Sequence, residues 1–178
     1  MTSSMVAKRY ALALFQIAKE QGLLDRVEEE LRVVKEVFTY SSDLKAVLKS
    51  PKLDVKRKKE ILSEAFASMN QYVFNTLLLL IDRHREDEVT AVADSFIELA
   101  NEEQGIAEAE VYTTRPLTDA EREAFSSSFA AKVGKKSLRI ENIVDTNLLG
   151  GVRLRIGNRI YDGSLRGKLE RLERRLLG

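Results

Sequence analysis

Apolar residues recur at intervals of three and four positions through the first part of the chain, with charged residues between them. This spacing predicts helices that each bury one face. We predict six such helices over residues 1–105, and because their connections are short, we expect neighbouring helices to pack antiparallel in a bundle. The clearest of them carries one apolar side, formed by Leu24, Val27, Leu31, Val34 and Phe38.

Capping residues indicate where several of these helices begin and end. Ser3 or Ser4 can cap the first helix, which Gly22 ends. A short third helix follows Ser42, and Asp54 caps the fourth. In the fourth helix we expect the basic run Lys56, Arg57, Lys58 and Lys59 to face mostly outward and the apolar residues to face inward, namely Ile61, Leu62, Ala65 and Phe66.

Two helices carry more apolar surface than a bundle helix needs for its own core. The first has one stripe at Ala7, Ala11, Leu14 and Ala18, and a second beside it at Val6, Tyr10, Ala13 and Ile17. The fifth is apolar almost all round, with Val73, Phe74 and the run Leu77, Leu78, Leu79, Leu80 and Ile81. Either the fifth helix is the buried centre of the bundle, or part of it lines a groove that a partner's amphipathic helix could fill.

The pattern changes after Gly105, where alternation and glycines replace the helical spacing. We predict a strand over residues 107–113, a helix opened by the capping box of Thr118 and Glu121, and a second strand over 138–144. Two further strands flank the hairpin signal Gly157-Asn158. A last helix, capped by Ser164, presents a stripe of Leu165, Leu169, Leu172 and Leu176. Residues 106–178 therefore form a small α+β domain, and the protein is mainly α.

Composition argues against most enzyme classes. The chain of 178 residues has no Cys and one His, so it can build neither a thiolate site nor a site that needs two imidazoles. The glycines near Gly150 lack the Lys-Ser/Thr of a phosphate loop and suit turns instead. The candidate acid–base residues Glu108, Glu141, Asp145 and Asp162 are expected on solvated polar faces. We predict no catalytic, cofactor-binding or metal-binding residue.

The last part of the chain is basic, with eight Lys or Arg residues from Arg153 onward. Nucleic acid or an acidic protein partner could use this charge, and an ordinary surface helix with Glu/Arg pairs is equally consistent with it. No apolar run approaches the roughly 18 residues of a membrane-spanning helix. We therefore expect a soluble protein, with any membrane role peripheral.

Two motifs near opposite ends resemble one known family. The stretch 145–172, DTNLLGGVRLRIGNRIYDGSLRGKLERL, resembles the C-terminal signature of the delta subunit of bacterial F-type ATP synthases, whose mitochondrial counterpart is the oligomycin-sensitivity-conferring protein. The stretch 6–15, VAKRYALALF, resembles the opening helix of the same family. Asn158 and Tyr161 depart from residues common in that family.

The resemblance implies a stator subunit without an active site or cofactor. The family's N-terminal domain is a six-helix bundle whose first and fifth helices bind the N-terminal helix of an alpha subunit. Carried to this chain, that role falls on Tyr10, Ala13, Leu14, Ile17, Leu77, Leu80 and Ile81. The family's C-terminal domain binds the C-terminal helices of the b-subunit dimer, which implies a role for Leu165, Arg166, Leu169, Arg171 and Leu172. The protein would then act at the cytoplasmic face of the bacterial membrane, reaching the membrane only through the complex and binding no nucleic acid.

Overall fold

The computed structural model describes residues 4–50, 53–165 and 167. The chain divides into two compact units, Met1–Ala100 and Asn101–Gly178. The division falls within the last helix of the bundle, slightly before the predicted boundary at Gly105. The expected architecture, mainly helical with a smaller α+β part, is confirmed.

The first unit is built from six helices, as predicted. They are α1 (Met5–Glu20), α2 (Leu24–Tyr40), α3 (Ser42–Lys49), α4 (Val55–Phe66), α5 (Gln71–Asp82) and α6 (Val89–Gln104). A 3-10 turn at Glu86–Glu88, which the sequence did not suggest, precedes α6. 

Local hydrogen bonds explain where these helices begin. The Ser4 hydroxyl accepts from the Ala7 amide at 3.0 Å, and the Asp54 carboxylate accepts from the Arg57 amide at 2.8 Å. The third helix is capped by Ser41, one residue before the predicted position, because the Ser41 hydroxyl accepts from the Leu44 amide. Side-chain acceptors at these positions satisfy amides that have no partner within the helix.

The core of the first unit follows the predicted stripes. The α1 stripe of Ala7, Ala11, Leu14 and Ala18 is buried, as is most of the apolar side of α2. The ring of Phe15 meets that of Phe96 edge-on with centroids 6.0 Å apart, which joins α1 to α6.

Two residues of α4 differ from expectation. Ala65 is exposed rather than inward-facing, and Lys58 is buried although the basic run was expected to face mostly outward. Lys58 is accommodated because its ammonium group lies 2.6 Å from the Glu86 carboxylate. A buried charge needs such a partner, and the sequence did not indicate which acidic residue would supply it.

The second unit has a four-stranded mixed sheet. Its elements are β1 (Ile106–Thr113), α7 (Asp119–Ala130), β2 (Ser137–Val144), β3 (Val152–Ile156) and β4 (Arg159–Asp162). The strand order is β2-β1-β3-β4. β1 and β2 are parallel and joined through α7, whereas the β1–β3 and β3–β4 pairs are antiparallel. The predicted strands, capping box and hairpin are all present.

One face of this sheet forms the core of the second unit. Its buried members are Ala109, Val111, Leu138, Leu154 and Ile156, which cluster with Ala130 of α7. Tyr161 contributes its ring to the same side, 5.3 Å from the ring of Phe129. The opposite face carries charged side chains, Tyr112 and isoleucines such as Ile143 and Ile160. Alternation along the strands therefore separates a buried apolar face from a mainly polar one, as the sequence predicted.

Candidate functional site

The second apolar stripe of α1 remains at the surface of the bundle. Val6 and Tyr10 are half-buried, Ala13 is exposed, and Ile17 is 39% exposed. We call these four residues the outer stripe. Because the other apolar stripe of α1 already fills the core, the outer stripe is apolar surface that the bundle covers only in part.

Four of the residues that the family resemblance assigned to a partner-binding groove lie in the core instead. Leu14, Leu77, Leu80 and Ile81 are each at most 2% exposed. Their side chains pack α1 and α5 into the bundle, so they offer no surface that a second helix could contact. Apolar spacing alone does not distinguish a core side from a groove side, and the assignment of these four buried residues to the groove stays an untested prediction. The expectation that Tyr10, Ala13 and Ile17 bind a partner remains a prediction.

The accessible apolar residues of α5 are different ones. Phe74 and Leu78 are half-buried and Leu79 is exposed. α5 packs against α1, and both Tyr10 and Phe74 pack on the shared core while staying partly accessible. Phe74 and Leu78 are four residues apart beside the buried side of α5, but this spacing marks them only as apolar positions and could not show that they stay accessible.

A second apolar patch lies in the α+β unit, where β4 leads into the last predicted helix. The Ser164 hydroxyl accepts from the Gly167 amide at 3.1 Å, which is the capping bond expected there. Leu165 is exposed, and its amide donates to the Gly150 carbonyl at 3.0 Å. Leu149, also exposed, precedes Gly150. The other predicted residues of this patch, Arg166, Leu169, Arg171 and Leu172, lie outside the described residues.

Close packing at Gly150 explains how Leu165 is held. A Cβ at Gly150 would lie 2.8 Å from Cδ1 of Leu165, so a larger residue there would displace the leucine side chain from its present position. Gly150 also has a φ of +146°, a backbone conformation that residues other than glycine rarely adopt. The glycines at 150 and 151 therefore serve the local chain turn and the packing of Leu165, not the binding of a phosphate.

The charged side chains on the other face of the sheet contact one another. The Tyr112 hydroxyl donates to the Glu110 carboxylate at 2.7 Å, and this hydrogen bond raises the pKa of Tyr112. Arg155 lies 3.4 Å from the same carboxylate, and Arg153 stacks 4.6 Å from the centre of the Tyr112 ring. Tyr112 and the two arginines line a shallow pocket of about 470 Å³ together with Gly157, Asn158 and Ile160. Because carboxylates neighbour the arginines, this face is a poor match for a phosphate backbone.

In the parts of the chain that the structure describes, no cluster of His, Asp or Glu is arranged to hold a metal ion. None of the helices described there combines the length and the apolar character needed to cross a bilayer.

The fold first defines a class: an all-helical unit followed by a small α+β unit with a mixed sheet. Sequence comparison then gives the family. The family described as ATP synthase delta (OSCP) subunit matches residues 6–176. The ATP synthase subunit delta of Geobacillus sp. (strain WCH70) is 54% identical over 178 residues, which is 100% of both chains. That of Bacillus subtilis (strain 168) is 53% identical, covering 100% of this chain and 98% of the relative.

A solved structure has the same fold. A chain of the cryo-EM structure of the Toxoplasma gondii mitochondrial ATP synthase hexamer superimposes with a TM-score of 0.72, at 22% identity, covering 98% of this chain and 99% of that chain. This chain belongs to the ATP synthase delta (OSCP) subunit family. Membership in this family does not favour the alternative function, that of a basic protein that binds nucleic acid.

Proposed function

We propose that the chain is a non-catalytic stator subunit that joins the catalytic head of an ATP synthase to its peripheral stalk. The outer stripe of α1 is the observation that carries this proposal. It places apolar side chains on the surface of a helix whose other side is already buried, and an amphipathic helix is the natural occupant of such a surface. The relatives of this chain are named as subunits of ATP synthase, and we therefore propose ATP synthase as the assembly in which it acts.

The partner of the first unit is, in this proposal, the N-terminal helix of an alpha subunit. Tyr10 and Ile17 provide the larger apolar contacts, while Ala13 between them leaves space for a partner side chain. Phe74 and Leu78 extend the apolar surface on α5. Burying such residues stabilises a complex by about 25 cal/mol per Å² of apolar area removed from water.

The partner of the second unit is, in the same proposal, the C-terminal part of the b-subunit dimer. Leu149 and Leu165 are the described residues that support it, because both expose apolar side chains and Leu165 packs against Gly150, the residue that follows Leu149. Leu169 and Leu172 would continue the apolar side, and Arg166 and Arg171 would contribute charge at its edge.

The mechanism in this proposal is mechanical. A rotating shaft exerts torque on the ring of alpha and beta subunits, and the ring must be held still for rotation to drive ATP synthesis. A subunit with one binding surface on each of two units can connect the ring to a fixed stalk without a chemical step. Two simultaneous attachments also retain the subunit longer than either would alone. The site of action is the cytoplasmic face of the membrane, reached through the other subunits.

A bridging experiment tests this function. A synthetic alpha-subunit N-terminal peptide is immobilised, the full-length chain is added, and retention of a soluble b-subunit fragment is measured with and without the chain. We expect the b fragment to be retained only when the chain is present. Binding of only one of the two fragments, or of neither, contradicts the linking function. Because the α1 contact is apolar, raising the salt concentration should weaken alpha binding only modestly, unlike binding to a nucleic acid.

A further inference from the structure

The start of α1 is tied to a distant residue of the chain. The Ser4 hydroxyl donates to the Glu88 carboxylate, with 2.6 Å between Oγ and Oε2. The same hydroxyl oxygen accepts from the Ala7 amide at 3.0 Å. The Ser4 hydroxyl therefore donates one hydrogen bond to Glu88 and accepts another from the amide that it caps. Hydrogen bonds linked in this way strengthen each other, and the carboxylate also lies near the positive end of the α1 dipole.

The segment that carries Glu88 is itself held in place. Glu88 ends the 3-10 turn Glu86–Glu88. In that turn Glu86 forms its buried ion pair with Lys58 of α4, whereas the ion pair of Asp87 with Lys49 of α3 is exposed and contributes little. Because the buried pair ties the turn to α4, the Glu88 carboxylate is held in place where α1 begins.

We infer that Glu88 is a positioning residue for the alpha-binding surface; this inference rests on the proposed function. The outer stripe begins at Val6 and Tyr10, within the first two turns of α1, and terminal turns of a helix lose their order most readily. A partner that binds a frayed turn must first order it, and that cost weakens binding. By fixing the Ser4 cap, Glu88 keeps Val6 and Tyr10 in the helical arrangement before the partner arrives.

The test compares two neighbouring acidic residues in the full-length chain. Glu88→Ala removes the partner of Ser4, and we expect it to weaken binding of the alpha-subunit N-terminal peptide roughly five-fold, the size of a lost helix cap. Hydrogen exchange of the Ala7 amide should become faster in the same variant. Asp87→Ala removes a carboxylate one residue away, and its exposed pair with Lys49 does not touch α1, so affinity and Ala7 exchange should stay unchanged.

A rescue variant separates positioning from general stabilisation. Aspartate caps a helix without help from a second carboxylate, so adding Ser4→Asp to Glu88→Ala should restore peptide affinity and slow Ala7 exchange. A merely structural role of Glu88 elsewhere would not be rescued by a new cap on α1. In the presence of Glu88, Ser4→Asp should not improve binding, because it brings two carboxylates together.

The outcomes distinguish this inference from the function on which it rests. If the unmodified chain does not bind the alpha peptide, the proposed function fails and the positioning role fails with it. If the unmodified chain binds and Glu88→Ala binds equally well, only the positioning role is overturned. Equal losses in the Glu88→Ala and Asp87→Ala variants, or a loss that Ser4→Asp does not rescue, also overturn it.

Discussion

The ammonium group of Lys58 and the carboxylate of Glu86 are 2.6 Å apart in the interior of the helical unit, where the two side chains are only 7% and 11% exposed. The pair joins α4 to the turn before α6. A pair this deeply buried gains little net stability over an apolar replacement, but removal of one partner leaves an uncompensated charge. Replacing one partner should therefore destabilise the protein strongly, whereas replacing both with apolar residues should cost much less.

We expect Lys58→Met to lower the free energy of unfolding by about 3 kcal/mol, because Glu86 would remain buried without its counter-charge. The double variant Lys58→Met with Glu86→Leu should recover most of that loss. Urea denaturation followed by circular dichroism measures both. An equal loss in the single and double variants would show that the charges are not coupled.

The outer stripe gives a prediction with a matched control on the same helix. Ile17→Asp should weaken binding of the alpha-subunit N-terminal peptide at least about ten-fold, because it places a charge in an apolar contact. Leu12 is exposed to a similar extent as Ile17, 46% against 39%, but it lies on a different side of α1. Leu12→Asp should therefore leave the affinity unchanged. Calorimetry measures both affinities, and equal effects of the two variants would exclude the outer stripe as the binding surface.

The glycine pair before β3 gives a stability prediction for the second unit. A Cβ at Gly151 would lie 2.5 Å from the Gly163 carbonyl oxygen, and φ at Gly151 is +82°. Gly151→Ala must therefore displace backbone, and we expect a loss of at least about 2 kcal/mol. Gly134 also has a positive φ, +69°, but open space surrounds its Cβ position. Gly134→Ala should cost only about 1 kcal/mol. Thermal unfolding of both variants checks the difference, and equal losses would mean that the close contact with Gly163 does not matter.

The capping box of α7 gives a prediction about acid stability. Arg115 donates two hydrogen bonds to the Glu121 carboxylate, at 2.6 and 3.0 Å, and the Thr118 amide donates a third at 2.9 Å. These bonds lower the pKa of Glu121 from 4.5 to about 2, with the Arg115 side chain the largest cause. Because the folded state favours the ionised carboxylate, this contribution to stability is fully present above pH 4.5 and is lost as the pH falls toward about 2.

Comparison of the unmodified chain with Glu121→Gln isolates this effect. The difference in their unfolding free energies should be constant above pH 4.5 and shrink steadily below it. A carboxyl-detected NMR titration should place the midpoint for Glu121 well below that of an exposed glutamate. A midpoint near the usual value for glutamate would contradict the hydrogen bonding of the capping box.

The division into two units predicts the behaviour of a truncated chain. A fragment of residues 1–104 ends with α6 and keeps all six helices that form the first core. We expect it to fold, to bind the alpha peptide with unchanged affinity and to lose binding of the b-subunit fragment. Circular dichroism and calorimetry check these points. An unfolded fragment would show that the helical unit depends on the remainder of the chain.

Prediction from sequence succeeded best where structure depends on near neighbours. The Ser4 and Asp54 caps, the Thr118–Glu121 capping box and the hairpin at Gly157 were all identifiable, because each depends on residues a few positions apart. The same reasoning identified α1 as a helix with two apolar stripes. It did not identify the burial of Lys58, because that depends on the Glu86 carboxylate which the fold places beside it.

The sequence by itself determined the order of helices and strands and the family, since periodicity, caps and turn residues act locally and the motifs near both ends are distinctive. Only the tertiary structure decided which apolar sides are used internally. It placed Leu77, Leu80 and Ile81 in the core and left Ile17 of α1 accessible. A spacing of three and four residues shows that a helix has an apolar side, but whether that side meets another helix of the same chain or remains exposed is decided by contacts between residues far apart in sequence.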